Sequence, residues 1–243
     1  MNDIYRAGKP ISAFGARLRQ NYTISGTPMT QTIAQGKNDS RFFLLDRENG
    51  LLTVTLPLDF YGKNVREIAG NMAYLRGLCQ DMADLDLGDG FHYRLCLTGV
   101  GEMEWTGDVL CSQTFTLQGM RLGEKISAAG APPLTLYNPG TWGKTACRLT
   151  LSGYRSKNTD GMIFLRRNGK SYLTWRIGKN AAFSGGTLIL DGMEKTNTYD
   201  GGALPEGSML WTEYPWLPPG ESRLLVTGCE ISGVEVEWEP GYV

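Results

Sequence analysis

Apolar and polar residues alternate along two segments of the N-terminal half of the chain. In the first segment the apolar positions are Leu52, Val54, Leu56 and Leu58. In the second segment they are Phe91, Tyr93, Leu95 and Leu97. A period of two places alternate side chains on one face of a strand, so each segment is predicted to be a β-strand with one buried face.

Between these two strands the spacing of the apolar residues changes to three and four. The positions concerned are Val65, Ile68, Met72, Leu75, Cys79 and Met82. This spacing predicts a helix over about residues 64–85, and a β-α-β order for the N-terminal half. Gly70 and Gly77 each weaken a helix by about 1 kcal/mol relative to alanine, so packing against a sheet must stabilise it.

Short strand-like segments separated by turn residues fill the C-terminal half, which contains no second helical pattern. The nine segments are LTLYN, ACRLTLSG, MIFLRRNG, SYLTWRIG, GTLILDG, EKTNTYDG, GSMLWTEYP, SRLLVTG and ISGVEVEWEP. Asn168 and Gly169 suit the positive φ angles of a type I′ turn, so the third and fourth segments are predicted to form a hairpin. A series of this kind is typical of a β-sandwich.

The segment KISAAGAPP, residues 125–133, is small and rich in helix and strand breakers. We interpret it as a linker that proteases should cut. The predicted domains are residues 1–123, a β-sheet carrying a single packed α-helix, and residues 124–243, the β-sandwich. The predicted fold class is therefore mainly β.

Charge and composition narrow the function. The chain has 24 basic and 25 acidic residues and a formal charge of −1, so direct binding of nucleic acid is not expected. The N-terminal sequence MNDIYRAGKPISAF has no long apolar run, and no segment is apolar enough to cross a membrane. We expect a protein that is made in the cytoplasm and stays soluble. The five cysteines form no Cys-x-x-Cys pair and are predicted to be free thiols with no metal.

Two motifs suggest chemistry but depart from the patterns that would support it. NPGTWGKT has Asn138 where a phosphate-binding loop has its first glycine, and a strand-like segment follows it where a helix is needed. DMADLDLGDG has four aspartates, but a calcium loop beginning at Asp84 would have Gly88 and Leu95 at ligand positions. We interpret the second motif as a solvated turn.

Catalytic constellations are not recognisable in the sequence. His92 is the only histidine, and alternation places it on the strand face opposite Tyr93. No nucleophile elbow is present, and the carboxylates are scattered over turns. We expect neither an enzyme nor a cofactor.

The tryptophans are the remaining candidates for contacts with a ligand. Trp175 and Trp238 lie on apolar faces of predicted strands, which indicates core positions. Trp142 and Trp216 lie in predicted loops and are the candidates for contact with a carbohydrate or a partner protein. An alternative function is therefore a carbohydrate-binding module that recognises a host cell-wall polysaccharide.

The order of motifs in the C-terminal half resembles the C-terminal domain of siphophage distal tail proteins. The shared features are the turn at Asn138 and Gly140, the segment GTLILDGMEKTNTYDG, the corner YPWLPPG and the last strand VEVEWEPGYV. Within the corner the matching positions are Pro215, Leu217, Pro219 and Gly220. Ser222 and Arg223 depart from the family, which often has Asn close to Gly there. The N-terminal layout is also similar, so the resemblance covers nearly the whole chain.

The resemblance implies a structural protein at the tip of a phage or prophage tail. Its N-terminal domains would form a homohexameric ring, its galectin-like sandwiches would project outward, and it would have no catalytic activity. It would join the tail tube to the adhesion device, with tube, tape-measure, hub and receptor-binding proteins as partners.

The ring also requires strand edges, and residues 29–35 and 111–118 are the candidate edge strands because they are nearly uncharged and rich in Thr and Gln. The alternative is that both strands lie in the interior of the sheet. The corner is predicted to close the end of the sandwich with Trp216 and Leu217.

Overall fold

The computed structural model describes residues 4–6, 8–26, 29–35, 42–157, 159–180, 182–205, 207–211 and 213–243. For residues 29–35, 42–49 and 211 it describes the backbone alone. The chain divides into two compact units. The first unit is Met1–Gly123 with Gly241–Val243, and the second is Glu124–Pro240. The fold is mainly β, as predicted, and Val65–Gln80 is the single α-helix in the described ranges.

The first unit is built on an antiparallel sheet with the helix α1 (Val65–Gln80) packed on one face. Its strands are β1 (Tyr5–Arg6), β2 (Lys9–Pro10), β3 (Ala16–Leu18), β4 (Thr23–Ser25), β5 (Met29–Gln35), β6 (Phe42–Asn49), β7 (Leu52–Tyr61), β8 (Ala83–Asp86), β9 (His92–Val100), β10 (Glu104–Thr106), β11 (Leu110–Leu122) and, from the end of the chain, β25 (Gly241–Tyr242). The main order is β2-β1-β8-β9-β11-β7-β3, with β4 also on β7 and with β10 and β25 on β11. Strands β5 and β6 pair with each other as a hairpin.

Strand β11 lies in the interior of this sheet, so the prediction that residues 111–118 form an edge is wrong. It pairs with β7 on one side and with β9 on the other. Its polar side chains are used within the unit, because Ser112 Oγ donates to Asp59 Oδ1 at 2.6 Å and Gln113 Nε2 donates to the Gly101 carbonyl at 2.9 Å. Residues 29–35 form β5, whose backbone pairs on one side with β6 and has no second strand partner in the described chain.

Helix α1 buries the middle of the predicted apolar stripe, at Ile68, Met72, Leu75 and Cys79. Its first turn is capped by Asn64, whose side-chain oxygen accepts from the Glu67 N–H at 2.9 Å. The Glu67 carboxylate in turn accepts from the Lys63 N–H at 2.8 Å. Val65 and Met82, at the two ends of the stripe, are exposed.

The helix ends at Gln80, five residues before the predicted end at Leu85. After Asp81 and Met82, residues Ala83–Asp86 form β8, which pairs with β1 and β9. Ala83 and Leu85 alternate with two aspartates, so they reach the core as a strand while the carboxylates stay outside. A period of two over so short a segment was concealed by the helical spacing before it.

The two glycines of helix α1 allow a test of how far glycine weakens this helix. Both are exposed, and a Cβ at Gly70 or Gly77 would meet no atom within 4 Å. We expect Gly70→Ala and Gly77→Ala each to raise the free energy of unfolding of the first unit by about 0.5–1 kcal/mol, measured by denaturant titration. Gly90→Ala is the matched control, because its surroundings are equally open but its φ of +85° disfavours alanine. Equal losses in all three variants would contradict the expectation.

The second unit is a sandwich of two antiparallel sheets in its described part, as predicted. One sheet has the order β12-β24-β14-β17-β18-β19, with β21 and β23 also on β14, and the other has the order β13-β22-β15-β16-β20. The strands are β12 (Ile126–Gly130), β13 (Leu134–Asn138), β14 (Thr145–Ser156), β15 (Gly161–Arg167), β16 (Lys170–Ile177), β17 (Ser184–Asp191), β18 (Thr196–Tyr199), β19 (Gly202–Ala203), β20 (Met209–Trp211), β21 (Trp216–Leu217), β22 (Gly220–Thr227), β23 (Cys229–Glu230) and β24 (Gly233–Trp238).

All nine predicted segments of this half contain a strand. The hairpin at Asn168 and Gly169 is confirmed, with φ angles of 50° and 78°. Trp175 and Trp238 are buried in the core, as predicted. Trp175 also donates from Nε1 to the Glu213 carbonyl at 3.1 Å.

The segment of residues 125–133 is not a linker. Most of it is β12, which pairs along its whole length with β24, from Ile126 opposite Trp238 to Gly130 opposite Val234. Ile126 and Ala128 pack against the core of the sandwich. Small residues suit this edge strand, so cleavage by proteases is no longer expected there.

The last residues of the chain return to the first unit, which the sequence pattern did not predict. In β25, Tyr242 pairs with Arg121 of β11, and its ring lies 5.2 Å from the ring of Phe91. Arg121 lies over the same Phe91 ring at 4.8 Å and donates to the Val243 carbonyl at 3.1 Å. These contacts hold the C-terminal residues against the sheet.

Candidate protein-interaction surface

The carboxylates of the DMADLDLGDG segment stabilise the turn before β9. Asp86 Oδ1 accepts from the Gly88 N–H at 2.7 Å, and Asp89 accepts from the Phe91 N–H and from the Tyr93 hydroxyl. Burial and this carboxylate raise the pKa of Tyr93. Residues Ala83–Asp86 of the segment form β8, so the solvated turn is shorter than predicted. Throughout the described residues, no three His, Cys, Asp or Glu side chains are grouped to hold a metal ion.

The histidine, the NPGTWGKT motif and the cysteines are also placed by the structure. His92 is exposed and lies opposite the buried face of β9, as predicted. Strand β14 follows NPGTWGKT, so no helix N-terminus is available there for phosphate. The five cysteines are free thiols, and burial raises the pKa of Cys79, Cys111, Cys147 and Cys229. No helix in the described part of the chain is long and apolar enough to span a membrane.

Large exposed hydrophobic side chains are concentrated in the first unit. Of the thirteen among the described side chains, eleven are in the first unit and two, Tyr137 and Leu210, are in the second. The eleven are Tyr5, Ile24, Leu51, Tyr61, Val65, Tyr74, Met82, Met103, Trp105, Val109 and Val243. Where several such side chains lie together, they mark surfaces that associate with other proteins.

Five of these residues surround α1 and form what we call the helix-side surface: Tyr61, Val65, Tyr74, Met103 and Val109. Tyr74 is 60% exposed and contacts the Phe14 ring at a centroid distance of 5.8 Å. Tyr61 and Val109 line a shallow depression of about 610 Å³. Met103 lines a second depression of about 270 Å³ along the helix. Only the second depression is mainly apolar, since the first is also lined by Lys63 and Glu67. Shallow depressions of this kind fit a protein partner better than a substrate.

The same sheet has one strand edge without charged residues. Strand β4 pairs with β7, and Thr23, Ile24 and Ser25 are all exposed, with no second partner strand among the described residues. At the opposite edge, β2 contains Lys9 and Pro10, which discourage pairing with another chain. Strand β4 was not predicted as an edge because three residues are too few to show a period.

Trp216 does not lie in a free loop, contrary to the prediction. It is in β21, paired with β14, and its ring contacts Tyr172 at a centroid distance of 5.0 Å. Its Nε1 donates to the Glu213 carboxylate at 2.9 Å, and Lys144 Nζ lies 4.8 Å from the ring centroid. Hydrogen bonds from Lys144 and Trp216 lower the pKa of Glu213. Trp142 is in the loop of residues 139–144 and is partly exposed. Carbohydrate contact at these two tryptophans stays a prediction.

Asn138 fixes the proline-rich corner of residues 214–220. Its side chain is 1% exposed, and its Nδ2 lies 3.0 Å from Thr145 Oγ1, 3.2 Å from the Leu217 carbonyl and 3.3 Å from the Pro218 carbonyl. Its Oδ1 accepts from the Gly140 N–H at 3.0 Å. Leu217 is fully buried in the sandwich core, and Trp216 packs against that core, as predicted. The corner is therefore structural.

Comparisons with known proteins identify the fold. No protein-family model matches the sequence, and no curated protein matches it. Among solved structures, the Dit protein of phage SPP1, described as a paradigm of the hub adsorption apparatus in phages that infect Gram-positive bacteria, matches with a TM-score of 0.65 at 11% identity. That match covers 99% of this chain and 99% of the Dit chain.

The phage P2 baseplate also contains a similar chain. In its activated conformation with Ca, the baseplate matches with a TM-score of 0.55 at 12% identity, over 96% of this chain and 92% of that chain. In the activated conformation with Sr, the TM-score is 0.52 at 12% identity, over 95% and 92%. This chain therefore has, over nearly its whole length, the fold of the SPP1 Dit protein.

Proposed function

We propose that this protein is a structural hub at the tip of a phage or prophage tail, where it joins the tail tube to the host-adhesion device. The observation that carries the proposal is the match to SPP1 Dit, which includes both units and 99% of each chain. A match confined to the sandwich would indicate a common module, whereas a match of two units in the same order indicates a shared architecture.

The surface of the first unit supports self-association into a ring. A closed ring needs two different complementary patches on each subunit. The helix-side surface and the uncharged edge at β4 are two different exposed patches of the first unit, one with apolar side chains and one with unpaired backbone groups. We propose that the ring is a homohexamer formed by the first units.

The second unit has the character of a projecting module in this proposal. Two large hydrophobic side chains are exposed among its described residues, and its core is closed by the corner. Its partners would be the tail tube, tape-measure, hub or receptor-binding proteins of the same virion. The protein would act through these contacts and not by catalysis.

Native mass spectrometry at micromolar concentration tests the ring. We expect a hexamer, and we expect Ile24→Lys and the double variant Tyr74→Ser, Val109→Ser each to weaken association about tenfold or more. The first variant adds a charged residue to the β4 edge, and the second reduces the helix-side surface. Tyr137→Ser is the matched control, because Tyr137 is 66% exposed but belongs to the second unit.

The outcomes distinguish whether a ring forms from where its interface lies. A strict monomer, even with tail-tube protein added, would contradict the hub function. A hexamer that survives both variants but is lost in Tyr137→Ser would place the ring interface on the second unit.

A further inference from the structure

Three arginines of the second unit surround one surface depression. It lies where the β15–β16 hairpin meets β22, has a volume of about 350 Å³, and is lined by Arg166, Arg167 and Arg223. The other lining residues are Asn168, Gly169, Glu221, Ser222 and Leu225. We call it the arginine depression. The positive φ angles of Asn168 and Gly169 fix the hairpin turn that forms one wall.

Arg166 and Arg223 are direct cross-strand partners in the antiparallel pair of β15 and β22. The neighbouring pair, Leu165 and Leu224, is buried in the core, so the arginines share the outer face of the sheet. Opposite residues in such a pair have Cβ atoms about 5 Å apart, and like charges placed there are destabilising. The pairing therefore places two arginine side chains side by side on one face of the sheet, at a cost in stability.

These charges are not neutralised by carboxylates within the described chain. Arg148 and Arg176 of the same unit form ion pairs with Asp191 and Asp160, both at 2.6 Å. No such pair within 4.0 Å joins Arg166, Arg167 or Arg223 to an acid of the described residues. Glu221 is the one acidic residue in the lining, so three positive charges and one negative charge leave a net charge of +2.

Arg166 also has a donor that is not used. Its Nη2 donates to the Gly169 carbonyl, which holds the side chain against the hairpin. Its Nε is buried and has no hydrogen-bond partner in the part of the chain that the structure describes. Guanidinium groups have five N–H donors in a planar fork that matches the oxygens of a phosphate.

We propose that the arginine depression binds a phosphate group, either free or as the phosphodiester of a polymer. Three arginine side chains that line one depression without carboxylate partners, beside a fixed hairpin wall, form a site for a compact oxyanion. A neutral sugar would not require this charge. The proposal is independent of ring formation, since all its residues belong to the second unit.

Isothermal titration calorimetry with two probes tests the site and distinguishes free phosphate from a phosphate polymer as its ligand. The probes are inorganic phosphate and a synthetic oligo(glycerol phosphate), with an uncharged glycerol oligomer as the negative probe. We expect both phosphate probes to bind, with affinities that fall as salt is added. Tighter binding of the oligomer identifies a polymer as the ligand, and equal binding per phosphate identifies free phosphate.

Matched variants assign the binding to the depression. We expect Arg223→Gln and Arg166→Gln each to reduce phosphate affinity about tenfold, and Arg223→Lys to restore part of it because the charge returns without the fork. Arg176→Gln is the control, since Arg176 is already paired with Asp160. Arg223→Gln should also raise the melting temperature at low salt by removing the repulsion from Arg166. This rise shows that the variant folds.

Three results would overturn the proposal. They are the absence of phosphate binding, equal losses in Arg223→Gln and Arg176→Gln, and displacement of the phosphate oligomer by a polyglutamate peptide at lower concentration. The last result would assign the depression to an acidic protein segment instead.

Discussion

Replacing Gly119 with alanine is expected to lower the free energy of unfolding of the first unit by about 3 kcal/mol or more, or to prevent that unit from folding. Gly119 lies in the interior strand β11. A Cβ at this position would stand 2.0 Å from the Arg94 carbonyl oxygen and 2.9 Å from the Leu95 Cα. Both are backbone atoms of β9, so the clash can be relieved only by separating two strands in the middle of the sheet.

Hydrogen exchange followed by mass spectrometry measures this effect for each unit separately, because peptides can be assigned to the first or the second unit. The matched control is Gly99→Ala in the adjacent strand, where a Cβ would meet the Thr116 Cβ at an ordinary 3.7 Å. Loss of protection in the first unit for Gly119→Ala alone is the expected result. Similar protection in the two variants would show that the sheet adjusts to a Cβ at Gly119.

In the first unit, the sequence pattern predicts which face of a strand is buried but not which strands lie next to each other. Alternation correctly identified the buried positions of β7 and the buried Tyr93 and Leu95 of β9, because the face of a strand follows its period. Phe91 and Leu97, which the same pattern marked, are only partly buried. Strand order is set by contacts between residues far apart in sequence, and no local pattern contains it. The uncharged polar stretch in β11 was therefore assigned to an edge, although Ser112 and Gln113 have partners inside the unit.

The end of helix α1, strand β12 and the position of the C-terminal residues were predicted less well, because they also depend on partners distant in sequence. The helical spacing up to Cys79 continues to Met82 by coincidence, and Met82 is 74% exposed. The small residues of β12 carry too little apolar area to reveal a strand, which exists because β24 offers a free edge. The return of Tyr242 to β11 likewise depends on a distant partner. In each case, pairing with a strand that is distant in sequence outweighs the local propensity of the segment.

Candidate surfaces were predictable in part. The sequence pointed to Trp142 and Trp216 because they lie between strands, yet Trp216 is paired in β21 and contacts Tyr172. The helix-side surface was missed because Tyr61, Met103 and Val109 are far apart in sequence and meet only around α1. The arginine depression could not be predicted for the same reason, because Arg166 and Arg223 are far apart in sequence and meet only through the pairing of β15 and β22.

The second large effect is expected at the proline-rich corner, where Asn138→Ala should lower the free energy of unfolding of the second unit by about 2–4 kcal/mol. Removing the amide leaves the Leu217 and Pro218 carbonyls, the Thr145 hydroxyl and the Gly140 N–H without the partner that each has now. Such groups cannot be left unpaired without losing about 1 kcal/mol or more each, unless water enters.

Gly192 provides an independent test of the same corner. A Cβ there would lie 2.0 Å from the Pro215 carbonyl oxygen and 2.9 Å from the Cys147 carbonyl oxygen. Gly192→Ala should therefore displace the corner that Asn138 holds. Since both variants disturb one set of contacts, the loss in the double variant should be smaller than the sum of the two single losses.

Denaturant unfolding followed by tryptophan fluorescence measures the loss, because five of the six tryptophans belong to the second unit. Tyr137→Ala is the matched control, since it removes a larger side chain from the adjacent position of β13, where the ring is 66% exposed. We expect that control to change stability by less than about 0.5 kcal/mol. If Asn138→Ala cost no more than Tyr137→Ala, the prolines alone would be sufficient to fix the corner, and the buried amide would not be what holds it against the core.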